Sequence, residues 1–142
     1  MSEYIPASLR QFVVERASGA CEYCRLHQTF SMYSHEIDHA IARKHGGKAI
    51  AENLVLACLP CNRHKGSDLA SFDPLTGELI QLHNPRTQIW ADHFKAYKGT
   101  LIAITATGRT TIALLKMNDV RRLQLRQALA LQGLYPDLSS SS

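Results

Sequence analysis

Cys58-Leu59-Pro60-Cys61-Asn62-Arg63-His64-Lys65-Gly66 decides how this chain folds once it is set beside Cys21-Glu22-Tyr23-Cys24. Each stretch holds two cysteines separated by two residues, and 33 residues lie between the pairs. Two thiolate pairs at this spacing supply the four soft ligands of a tetrahedral structural zinc ion. The chain opens Met-Ser-Glu-Tyr-Ile-Pro, without a basic stretch leading into an apolar one. A reducing, cytoplasmic setting is therefore expected, where stable disulfides are rare. The alternatives are four buried unliganded cysteines or a redox pair. Because the separation exceeds the commonest zinc-finger spacing, a folded segment is expected between the knuckles.

Working outward, residues 32–38 read as a strand leading into Asp38-His39, and Gly46-Gly47 mark a turn in a polar loop. Leu54-Val55-Leu56-Ala57 is a short apolar strand entering the second knuckle. Cys61 to Lys65 reads as a short helix closed by Gly66. Upstream, residues 6–18 predict a helix, with Pro6 in its first turn, an apolar stripe of Leu9, Phe12, Val13 and Ala17, and Gly19 at its end. Downstream, Asp73–Gly77 is a turn before a strand at 78–82, and Asn84-Pro85-Arg86 is another turn. Short strands at 93–97 and 101–105 and helices near 110–117 and 119–132 complete the reading, the last with Val120, Leu123 and Ala130 on one side.

The 142 residues are 45% hydrophobic and 20% charged, which suits one folded domain and excludes a disordered chain. No run of about 18 apolar residues exists, so a membrane span is excluded. The net charge is +4, and segment 39–66 carries all of it: Arg43, Lys44, Lys48, Arg63 and Lys65 against Glu52 alone. His27, His35, His39, His45 and His64 are five of the seven histidines and crowd the same region. A basic, histidine-dense stretch suits a polyanion such as nucleic acid, because each cation near a phosphate releases counterions.

His35-Glu36-Ile37-Asp38-His39, then Asn53-Leu54-Val55-Leu56, then Cys61-Asn62-Arg63-His64-Lys65-Gly66 follow one another in an order that resembles the HNH endonucleases of the four-cysteine, zinc-stabilised kind. The resemblance runs from Cys21 to about Gly66. It implies an α+β fold: a ββα-metal, treble-clef-like core with its zinc on Cys21, Cys24, Cys58 and Cys61, after an N-terminal helix. Residues 1–68 would form this nuclease core, 69–138 a C-terminal α+β extension packed on it, and 139–142 a disordered tail. The implied activity is metal-dependent hydrolysis of DNA phosphodiester bonds, by a monomer or a homodimer.

Roles follow by position. His39 would be the general base, since imidazole titrates near neutral pH. Asn53 would hold that ring through its amide oxygen or backbone carbonyl. Asp38 and Asn62, with His64 as a possible addition, would bind one Mg²⁺ or Mn²⁺, hard ions that take oxygen ligands. The family's histidine at the third motif position is Asn62 here, a harder ligand that favours those ions over Zn²⁺. His35 lies on the face of His39 by alternation, as a strand residue or a site residue. Arg43, Lys44, Lys48, Arg63 and Lys65 would hold backbone phosphates of double-stranded DNA, contacts that position without reading bases. The alternative is a non-catalytic zinc-knuckle module that binds nucleic acid. Neighbouring residues of a regular strand point to opposite faces, so Asp38 and His39 converge only if the strand ends or bends at Asp38.

Overall fold

The computed structural model describes residues 4–136, so the tail expected at 139–142 lies outside the described residues. The chain runs α1 (Ala7–Arg16), β1 (Glu36–His39), β2 (Leu54–Ala57), α2 (Leu59–Lys65), β3 (Ala70–Phe72), β4 (Leu79–Gln81), β5 (Phe94–Tyr97), β6 (Thr100–Ala103), α3 (Ala106–Leu114) and α4 (Val120–Leu131). The strands pair as three antiparallel two-stranded sheets, β1 with β2, β3 with β4 and β5 with β6. Such small sheets are marginal alone and need helices packed on them. This is the mixed α+β architecture that the sequence implied.

The apolar strand β2 sits at the centre, and its two faces serve different cores. Leu54 and Leu56 pack with Ile5, Val13 and Ala17, whereas Val55 and Ala57 pack with the four cysteines. A period of two sorts consecutive side chains in this way, and all four residues are buried. Each fully buried leucine contributes roughly 1.5–3 kcal/mol. Arg16 ties α1 to the strand by donating to the carbonyls of Ala51 and Leu54 at 2.8 and 2.6 Å. Within the stripe expected on α1, Val13 and Ala17 are buried but Phe12 is turned outward, with the Arg16 guanidinium over its ring. Pro6 precedes the helix as its cap instead of starting the first turn.

The C-terminal half shares its core with the zinc knuckles. Trp90, Phe94, Leu101, Leu115 and Met117 join Tyr23, Val55 and the four cysteines in one cluster. Polar ties cross the same boundary. Trp90 Nε1 donates to the carbonyl of Tyr23 at 2.8 Å, and the Tyr135 hydroxyl donates to that of Cys24 at 2.7 Å. The buried Glu22 carboxylate accepts from the Leu56 amide at 3.0 Å and pairs with Arg86.

Helices α3 and α4 also differ from expectation, for packing reasons. Helix α3 begins at Ala106, four residues before the expected 110, because the Thr105 hydroxyl accepts from the Gly108 amide and caps it. A Cβ on Gly108 would lie 2.2 Å from the His93 carbonyl oxygen, so glycine permits that close approach. On α4 the face turned inward holds Arg126 and Leu129, while Val120 is exposed. Arg126 is buried because its guanidinium donates to the Gly99 carbonyl and to Asn118 Oδ1, at 2.9 and 2.7 Å.

Candidate functional site

Cys21, Cys24, Cys58 and Cys61 are all buried, and their sulfurs lie within 4.8 Å of one another. The Cys24 and Cys58 sulfurs are 3.7 Å apart. A tetrahedron with metal–sulfur bonds of 2.3 Å has edges of about 3.8 Å, so the cage fits a zinc ion. Burial pushes the Cys61 thiol up, while hydrogen bonds from its fellow cysteines bring Cys24 down. Zinc would deprotonate all four. Sequence reasoning missed the cation that faces this cage. Arg122, on α4, donates from Nη2 to Cys61 Sγ at 2.8 Å, with Cys58 Sγ at 3.7 Å. Its Nη1 donates to the carbonyls of Leu115 and Lys116 at 2.6 and 3.0 Å. Burial disfavours that charge, but the sulfurs outweigh it and hold its pKa above the ordinary value.

Strand β1 presents the other candidate residues. It starts at Glu36, later than the expected residue 32, and runs through His39 in regular register, with Asp38 opposite Val55 and His39 opposite Leu54. The ladder extends one step further, since the Ala40 amide donates to the Asn53 carbonyl at 2.8 Å. The strand therefore ends at His39, one residue later than the expected place. Asp38 and His39 nevertheless feel each other. Burial raises the Asp38 pKa, opposed by the Lys65 ammonium and the His39 imidazole.

Helix α2 packs on this strand and brings Asn62 and Lys65 to its acidic face. Lys65, expected among the phosphate contacts, is 2% exposed. Its ammonium lies 3.6 Å from Asp38 Oδ2 and donates to the His39 carbonyl at 3.2 Å. Asn62 Nδ2 donates to Glu36 Oε1 at 3.0 Å. Glu36 is two residues before Asp38, hence on the same face, and it is a carboxylate that the sequence reading passed over; the signal was the alternation Glu36-x-Asp38. Asp38 Oδ2 is buried without a hydrogen bond. That oxygen is the one the Lys65 ammonium faces at 3.6 Å, so a hard divalent cation bound there would share or displace this ion pair, beside the Glu36 carboxylate and the Asn62 amide. His64 is exposed on α2, and among the described residues no group of three His, Cys, Asp or Glu ligand atoms gathers there.

Asn53 acts on the loop between the strands. Its Oδ1 accepts from the Ile41 amide at 2.9 Å, and its Nδ2 donates to the carbonyls of Ile41 and Lys48 at 2.9 and 3.0 Å. The amide thus closes the loop that leaves His39. Gly47 completes the closure: a Cβ there would lie 1.7 Å from the Ile41 carbonyl oxygen. Arg43, Lys44, Lys48 and Arg63 are exposed, the first two in a 3₁₀ turn at Arg43–His45. His35 is buried, its Nε2 against the Leu26 carbonyl at 2.7 Å, which makes it part of the first knuckle's packing.

Four sulfurs placed to hold a metal ion thus brace a strand–strand–helix unit, with an Asp-His pair near the end of its first strand. Comparison with known families bears this out: residues 21–68 match the family model described as HNH endonuclease. The match spans about a third of the chain, and the four clustered cysteines within it are consistent with the four-cysteine type of that family. Neither the curated proteins nor the solved structures contain a significant match to the chain. No helix among the described residues is long and apolar enough to cross a membrane.

Proposed function

We propose that this protein is a metal-dependent endonuclease that hydrolyses phosphodiester bonds of double-stranded DNA, with residues 1–68 as its catalytic unit and 69–138 as a brace. The observation that carries the reading is the buried Asp38 carboxylate near the end of β1, next to His39, with Glu36 and the Asn62 amide joined on the same face. A Mg²⁺ or Mn²⁺ ion held by Asp38 and Asn62 would supply a Lewis acid at the phosphate and the leaving oxygen. His39 takes the proton of the attacking water. Asn53 fixes the loop after His39 and so sets where that ring sits. Lys65 balances the Asp38 charge and steadies the His39 backbone. Arg43, Lys44, Lys48 and Arg63, all exposed, neutralise phosphates on either side.

Nicking of supercoiled plasmid, in Mg²⁺ and in Mn²⁺, tests the proposal with His39→Ala as the control. The expected loss is roughly 10²- to 10⁴-fold, the usual contribution of a general base, with zinc content and DNA affinity retained. The Lys65–Asp38 ion pair favours a second reading, a zinc module that binds nucleic acid without cutting it. Absence of nicking by either protein, with DNA binding retained, would support that second reading.

A further inference from the structure

Where β1 leaves the active face, the chain borders a half-enclosed cavity of about 170 Å³ at the junction with the C-terminal half. Ala40 and Ile41, the two residues after His39, form one wall, and Leu82, His83, Asn84 and Gln88 contribute others. His83 is 2% exposed; the Gln88 side chain lies against its ring, but neither ring nitrogen makes a well-formed hydrogen bond. A buried imidazole in that condition forgoes two hydrogen bonds, which is costly unless a ligand supplies them. Nothing in the HNH match reaches this residue, which lies beyond position 68.

We infer that this cavity receives one unstacked pyrimidine base of the DNA strand, next to the scissile phosphate, and that His83 reads its edge. Size supports the choice, because a cavity of about 150 Å³ admits a benzene ring, and a pyrimidine is one six-membered ring. Chemistry supports it as well. Burial holds His83 near a pKa of about 3, so the ring is neutral and presents one donor and one acceptor. The amide oxygens of Asn84 and Gln88 already accept from the Arg86 and Asn84 backbone amides, which leaves their NH2 groups as donors, and the apolar walls suit the faces of a flat heterocycle. Phosphate fits poorly: Asp68 also lines the cavity, and the Lys65 ammonium is already directed at Asp38 and the His39 carbonyl. A base enters only after leaving the stack, which costs least where it is unpaired. DNA with an extrahelical pyrimidine is therefore the preferred substrate class, an inference that rests on the nuclease reading only for the place of the cut.

Equilibrium binding of the zinc-loaded, full-length His39→Ala protein tests this without cleavage. The probes are fluorescent duplexes of one sequence carrying a single bulged thymidine, a bulged deoxyadenosine, a bulged abasic residue or no bulge. The thymidine bulge is expected to bind roughly 5- to 100-fold tighter than the abasic one, the span of a good base contact, with deoxyadenosine between them. Adding His83→Leu or Gln88→Ala should bring that ratio close to one; Gln88→Ala serves if His83→Leu fails to fold, as judged by zinc content and circular dichroism. Equal binding of the thymidine and abasic probes overturns the inference. So do a preference for deoxyadenosine, a ratio that survives the substitutions, and failure to bind any probe. The nuclease reading stands or falls separately, on plasmid nicking by the unmodified protein.

Discussion

Arg122→Met removes a guanidinium that reaches the sulfur cage while keeping the length of the side chain. The loss comprises a charged hydrogen bond to Cys61 Sγ at 2.8 Å, a weaker approach to Cys58 Sγ at 3.7 Å, and two donations to the carbonyls that follow α3. A zinc tetrathiolate carries a formal charge of about −2, so a buried cation beside it counters part of the excess. Removing such an outer partner weakens metal affinity about 10- to 100-fold, which is about 1.4–2.8 kcal/mol. That range agrees with roughly 1.5–3 kcal/mol for a single hydrogen bond to a charged group. Competition for zinc against a chromophoric chelator measures the difference, with Arg121→Met, an exposed neighbour, as the control. The substituted protein should lose zinc at a lower chelator concentration and unfold as it does so, because metal binding and folding are linked. Zinc affinity within twofold of the unmodified protein would refute the argument and reduce Arg122 to a packing residue.

Gly47→Ala forces a methyl group onto the Ile41 carbonyl oxygen, so the Asn53-clamped loop must move; a loss of about 1–3 kcal/mol in urea unfolding is expected, with weaker plasmid nicking. Asp73 gives an acid-dependent term. The Arg109 guanidinium, at 3.0 and 2.8 Å, holds its carboxyl at about 2, below the usual value of 3.8. Its stabilisation is complete above about pH 4 and disappears as pH falls through 2. Urea midpoints of Asp73→Asn and the unmodified protein should thus differ by a constant amount between pH 6 and 8, where the zinc thiolates stay intact; equal midpoints would count against the pairing.

Local chemistry made much of this legible. Two Cys-x-x-Cys units impose a geometric constraint that no packing preference overrides, so the cage was predictable from spacing. The four-residue run Leu54–Ala57 and the Asp73–Gly77 turn likewise carry their own signals. What escaped was decided by distant partners. Arg122 and Arg126 carry no local signal on α4, yet one meets the Cys61 sulfur of α2 and the other the Gly99 carbonyl. Phe12 reads as core, but Val13 and Ala17 suffice against Leu54 and Leu56. Lys65 reads as a phosphate contact, whereas burial and Asp38 place it inside. The link from Asn62 to Glu36 joins residues 26 positions apart and has no local signature.

The bonds from Trp90 and Tyr135 to the first knuckle, with Arg122 on the second, set the smallest portable unit of this molecule. A fragment trimmed to the family-matching segment would surrender an indole, a phenol and a guanidinium, and its sulfurs would face water on the side they now hide. Anyone grafting this nuclease candidate onto another protein must therefore carry α4 and its following turn along with it.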